Sequence, residues 1–198
     1  MQQQPNPNKP ASPILISGAD LPAALIMSGL YLIVALPAYW LASSPVQATI
    51  WTSILLGATL VTLSIIDLKT HRLPDLLTMP LLAAGLGFCF ILEWDDVRWR
   101  IAAAAAAYAT FSSIAWLYHR FRGRHGLGLG DAKLLAASGA WVGIDGLPMT
   151  LLIASLSALT AILAATLAGH RFAASTRIPF GPFLAAGTWF VWHYGSSI

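Results

Sequence analysis

Charge and cysteine are what this sequence has least of. Charged residues fill 10% of its 198 positions, against roughly 25% in a typical soluble domain. So thin a polar coat excludes a soluble globular fold and predicts an integral membrane protein. The single cysteine, Cys89, excludes an intrachain disulfide and any cysteine-built zinc site. Set inside an apolar run, it reads as a small hydrophobe. The glycines at 126–130 lack a Gly-Lys-Ser/Thr ending and a preceding strand, which argues against a phosphate cradle. The opening residues do not make a secretory leader: Lys9 stands alone, and no small-residue cleavage site closely follows a short apolar core.

Hydrophobic residues are abundant instead, at 57%, with a mean hydropathy of +0.70. They fall into runs at about 21–41, 46–66, 76–92, 101–118, 132–144, 147–168 and 183–194. A membrane span takes roughly 20 apolar residues, with a range near 17–25. Runs five and seven are short, so they are either extended by their flanks or partly buried in the bundle. The expected fold class is all-α, a polytopic membrane helix bundle of about seven transmembrane helices, or six if run five does not cross. Residues 1–17, rich in Gln, Asn and Pro at the start, are expected to form a disordered cytoplasmic tail. Residues 18–198 are expected to form one membrane domain. The alanine run 102–107 suits a close helix-packing face.

The basic residues set an orientation. With the Asp67 end of run two in the cytoplasm, that side holds Lys9, Lys69, Arg72, Arg120, Arg122, Arg124, Lys133, Arg171 and Arg177. The other side holds Arg98 and Arg100, a bias of nine to two. Glu93, Asp95, Asp96 and Asp145 fall on that external side, and Trp94 and Trp99 flank its loop. The N-terminus is then cytoplasmic and the C-terminus external.

Two acids stand where an apolar chain tolerates them least. Asp67 follows run two directly, and Asp131 follows Gly126, Gly128 and Gly130 just before apolar helix. A charge at membrane depth costs several kcal/mol unless paired or hydrated. Each is therefore either an interfacial end-marker or a working group. Glycines before Asp131 permit close backbone approach, and they place the acid at a helix start with free N–H groups. Two aspartates held together in a low-dielectric site share one proton. One can then activate water while the other protonates a scissile carbonyl. Both fall at cytoplasmic span ends, where water reaches them.

The remaining polar candidates are weaker. Pro74 suits the first turn of run three, with Asp75 beside it facing the positive end of the helix dipole. His119 and His125 lie in a basic loop without a third ligand at metal spacing, so the loop reads as a surface facing anionic headgroups, and no metal or other cofactor is expected. His170 and Arg171 read similarly. The stretch Ile178-Pro179-Phe180-Gly181-Pro182-Phe183 is either a helix-start turn or an irregular segment lining a cavity. Nothing in the pattern suggests a nucleic-acid partner.

Three motifs in order carry a resemblance: Asp67-Leu68-Lys69-Thr70-His71-Arg72-Leu73-Pro74-Asp75, then Gly128-Leu129-Gly130-Asp131-Ala132-Lys133-Leu134-Leu135, then Ile178-Pro179-Phe180-Gly181-Pro182-Phe183. Together the sequence resembles the type IV prepilin peptidases, membrane aspartic proteases of the GxGD type, over about residues 48–190. The resemblance implies cleavage of the N-terminal leader of type IV prepilin or pseudopilin precursors at the cytoplasmic face of the inner membrane. The machine served would be a pilus or a type II secretion system. By matched position Asp67 and Asp131 would be the catalytic pair. Gly128, Gly130, Lys133, Asp75, Pro179 and Gly181 would bind substrate or support the site. Bifunctional members carry paired CxxC motifs in an N-terminal region and also methylate the new N-terminus. Here only Cys89 exists and residues 1–20 are too short for that region, so peptidase activity without N-methyltransferase activity is expected. Other readings are a different GxGD intramembrane protease, of archaellin-leader or signal-peptide type, a proton- or cation-coupled transporter using the two acids, and a silent assembly factor. A transporter predicts acids nearer mid-span and repeated spans, and neither is seen.

Overall fold

The computed structural model describes residues 45–92, 94–122, 128–168 and 178–195. Five helices follow in order: α1 at Pro45–Thr70, α2 at Asp75–Leu92, α3 at Val97–Arg122, α4 at Leu129–Leu167 and α5 at Gly181–Tyr194. A 3-10 turn at Trp94–Asp96 joins α2 to α3. The described residues form no strand, and the expected all-α bundle is what they build. Ile50–Thr70, Trp94–Phe121 and Leu129–Leu167 are long and apolar enough to cross a membrane, while Asp75–Ile91 is a shorter apolar helix. The expected tail 1–17 and first span 21–41 lie outside the described residues, as do Arg124, His125, His170 and Arg171.

Helix α4 is the axis of the bundle. Its first half buries Ala132 and every residue from Leu134 to Trp141. A helix apolar all round is one enclosed by others, and α2, α3 and α5 all pack on it. Small residues let the backbones approach. A Cβ on Gly139 would lie 3.0 Å from the Ala103 carbonyl carbon of α3. In α3, Ala103, Ala104 and Ala107 are buried while Ala102, Ala105 and Ala106 are exposed. The alanine run is thus a packing face at helical spacing, as its composition suggests.

Expected runs five and six merge into α4, but the backbone breaks near the end of run five. Gly143 sits at φ 73° and ψ −175°, a conformation that glycine alone adopts readily. Arg100 of α3 donates to the Trp141 carbonyl just before the break, meeting one of the acceptors a helix end leaves open. The Trp141 indole N–H in turn donates to the Leu81 carbonyl of α2 at 2.8 Å. Its ring stacks with Phe88 and meets Trp192 edge-on. A cavity of about 380 Å³ opens at this end, lined by Asp96, Trp99, Arg100, Val142, Gly143, Ile144 and Asp145.

Helix α5 packs between α4 and α1. Ser138 of α4 and Thr188 of α5 share a buried hydrogen bond of 2.6 Å, and Trp192 donates to Ser53 of α1 at 2.9 Å. Gly187 marks a close approach of α5 to α4: a Cβ there would lie 2.5 Å from the Thr150 carbonyl oxygen. Backbone on the far side cannot yield as a flexible side chain does. Gly187→Ala should therefore destabilise the folded protein by about 1–3 kcal/mol, read as a lowered thermal midpoint in detergent.

Candidate active site

Asp67 sits in the last turn of α1. The helix ends at His71, whose φ is 52° and whose N–H donates to the Asp67 carbonyl at 2.8 Å. This is a left-handed helix cap built on a histidine instead of the usual glycine. The chain then buries Leu73 and reaches Pro74. The Pro74 carbonyl accepts from the Leu77 and Thr78 N–H groups at 3.1 and 3.2 Å. Pro74 therefore stands one residue before α2, and Asp75 opens that helix as the sequence predicts.

The Asp67 side chain is only 4% exposed, and it is the one buried carboxylate among the described residues. An ionised acid this deep needs partners. One comes from α5: the Gly181 N–H donates to Asp67 Oδ2 at 3.0 Å. That amide belongs to the first turn of α5, where N–H groups are free and the helix dipole favours negative charge. The contact is tight enough that any side chain here would displace the carboxylate. A Cβ on residue 181 would lie 2.6 Å from Asp67 Oδ2 and 3.1 Å from its Cγ.

Asp131 occupies the first turn of α4. Its N–H donates to the Gly128 carbonyl at 3.1 Å, and its carboxylate takes a backbone hydrogen bond from Gly128. The Asp67 carboxylate is close enough for its charge to act on Asp131. The carboxy end of α1 and the amino ends of α4 and α5 thus converge, with one aspartate from each of the first two and a backbone amide from the third. Unlike Asp67, Asp131 is partly open to solvent.

The glycines divide into different tasks. Gly130 is pressed on Leu73: a Cβ there would lie 3.0 Å from the Leu73 Cβ. Its missing side chain thus serves a contact within the fold. Gly128 is exposed, and a Cβ there would make only an ordinary 3.4 Å contact with Asp131. Gly126 lies outside the described residues. Pro179 is half-buried in the non-helical stretch 178–180 that leads to Gly181. The helix-start reading of Ile178–Phe183 holds, since residues 178–180 lead into α5, and the first amide of that helix meets Asp67.

Lys133 and Asp75 pair with one another. The Lys133 ammonium meets both carboxylate oxygens of Asp75, at 2.6 and 2.7 Å. Position alone marked them as separate residues near the site. The pairing was not legible because it joins side chains 58 positions apart. Among the described residues no group of three or more His, Cys, Asp or Glu side chains could hold a metal ion.

Two of these helix ends fall within a stretch that matches a known family. The profile of the type IV leader peptidase family matches residues 54–164, which include Asp67 and Asp131. The chain belongs to this family. Curated relatives agree. The prepilin leader peptidase/N-methyltransferase of Burkholderia pseudomallei is 45% identical over 132 residues, covering 67% of this chain and 42% of the relative. Its namesake in Aeromonas salmonicida is 41% identical over 147 residues, covering 74% and 50%. The one in Escherichia coli is 43% identical over 127 residues, covering 64% and 56%. The chain spans about half the length of the curated relatives it matches. No solved structure matches it. Membership in the type IV leader peptidase family, with helices able to cross a bilayer, makes this a multi-pass inner-membrane protein.

Proposed function

We propose that this chain is an aspartic endopeptidase that removes the N-terminal leader of type IV prepilin or pseudopilin-like precursors at the cytoplasmic face of the inner membrane. The observation that carries the reading is the convergence of Asp67 and Asp131 at three helix ends within a leader-peptidase sequence. The nine-to-two bias of basic residues supports a cytoplasmic site, with the N-terminus cytoplasmic and the C-terminus external.

The chemistry follows from two carboxylates that hold one proton between them. The ionised member takes a proton from water as the oxygen attacks the scissile carbonyl carbon. The protonated member gives its proton to the carbonyl oxygen, and a tetrahedral diol forms. Collapse returns the carbonyl, breaks the C–N bond and sends a proton to the departing amine. Two helix amino ends facing the dyad offset the negative charge of the pair. Exposed Gly128 and half-buried Pro179 flank the aspartates and are the proposed walls for an extended substrate backbone, with Gly130 and Gly181 keeping those walls close. No cofactor enters this sequence of steps.

The test is reconstitution of the full chain in liposomes with a leader-bearing prepilin substrate. The expected result is one cut that separates leader from mature protein. Mass spectrometry of the two products locates the cut. An intact substrate alongside proton flux through the liposomes would overturn the peptidase reading in favour of a transporter.

A further inference from the structure

The two aspartates sit on separate helices, so something must set their spacing. From Asp67 the chain turns at His71, buries Leu73 and ends at Asp75. Asp75 grips Lys133 with both oxygens, at 2.6 and 2.7 Å. Lys133 lies two residues beyond Asp131 on the same helix. The path from Asp67 to Asp75, across the ion pair to Lys133 and back to Asp131 therefore closes a ring through the site. Gly130 pressed on Leu73 ties the same two segments a second time.

The chemistry of the pair suits a tie better than a substrate contact. Two residues along a helix rotate the side chain by roughly 200°, so Lys133 leaves α4 on a different side from Asp131. Its ammonium is already engaged by a bidentate carboxylate. A cation near the amino end of α4 gains nothing from the helix dipole, whereas Asp75 at the start of α2 does. The lysine is explained by its partner. The two side chains are 25% and 45% exposed, close enough to water to be tested without leaving a buried, unpaired charge.

We propose that the Asp75–Lys133 ion pair is a positioning device that sets the spacing of Asp67 and Asp131. This rests on the reading that the two aspartates act as a pair. Misplacing a reacting group by about 1 Å costs on the order of 100-fold in rate. Asp75→Asn and Lys133→Met should each lower kcat by about 10- to 100-fold with KM changed less than about twofold. The charge-swapped variant D75K/K133D should recover most of that loss, because opposite charges again face each other. A raised KM with intact kcat would overturn the proposal and make the pair a substrate contact. A swap no more active than the singles, though folded, would overturn it as well.

A second measurement needs no catalysis. Spin labels at Lys69→Cys and Leu129→Cys, both exposed positions, report the spacing of the two helix ends in a Cys89→Ala background. The distance distribution should broaden or shift in Lys133→Met and return in the swap. An unchanged distribution sinks the proposal. If the wild-type chain cleaves nothing, the peptidase reading alone fails, and the labels still decide whether the pair sets the spacing.

Discussion

Asp67→Asn and Asp131→Asn should each lower leader cleavage by about 10³-fold or more while leaving the protein folded and inserted. The amide is nearly the same shape as the carboxylate but can neither take nor give the shared proton. In Asp67→Asn the side-chain oxygen still accepts from the Gly181 N–H, which lies 3.0 Å from Oδ2 in the native site. A neutral group at 4% exposure also carries less desolvation cost than an acid. The thermal midpoint should therefore stay level or rise, and loss of activity cannot be assigned to unfolding. The double variant should be no slower than either single, since removing one half of a unit disables it. Near-native cleavage by either single variant would remove the dyad from the mechanism.

Gly181→Ala should cost about 100-fold in kcat with little loss of stability. The added Cβ would fall 2.6 Å from Asp67 Oδ2, nearer than real contacts allow. Asp67 must rotate away or the start of α5 must retreat. Either move breaks the amide hydrogen bond and shifts the carboxylate. Alanine is itself a better helix former than glycine, so the helix does not suffer. The contrast with Gly187→Ala is the informative one. Both sit in α5 and both meet a neighbour closer than 3 Å. At 181 the neighbour is the Asp67 carboxylate, and at 187 it is the Thr150 carbonyl. The first change should remove activity and spare the thermal midpoint; the second should lower the midpoint. Wild-type turnover by Gly181→Ala would mean that Asp67 does not depend on this amide.

The acids were conspicuous in the sequence because charge is scarce there and costly at membrane depth. The same scarcity left the end-marker reading of Asp67 open, since an acid at a span end looks alike in both roles until burial is known. The glycines before Asp131 marked a close approach without naming the neighbour. Gly130 turned out to face Leu73, and the amide that meets Asp67 comes from Gly181, 114 positions away. His71 gave no sign of a left-handed cap, because glycine is the residue that announces one. Pro74 fell one residue outside α2 because a capping carbonyl, which proline keeps, was what the position used.

By itself the sequence determined the helical membrane class, the apolar runs behind the described helices, the alanine face of α3 and the two aspartates. Each is a property of consecutive residues: partition into lipid, helical spacing and the cost of a local charge. The tertiary structure alone decided that Asp67 is the buried acid, that α5 donates to it, that Asp75 and Lys133 pair, and that α4 breaks at Gly143. Those outcomes depend on several helices packing at once, and a contact between side chains far apart in the chain leaves no periodicity in either stretch that makes it.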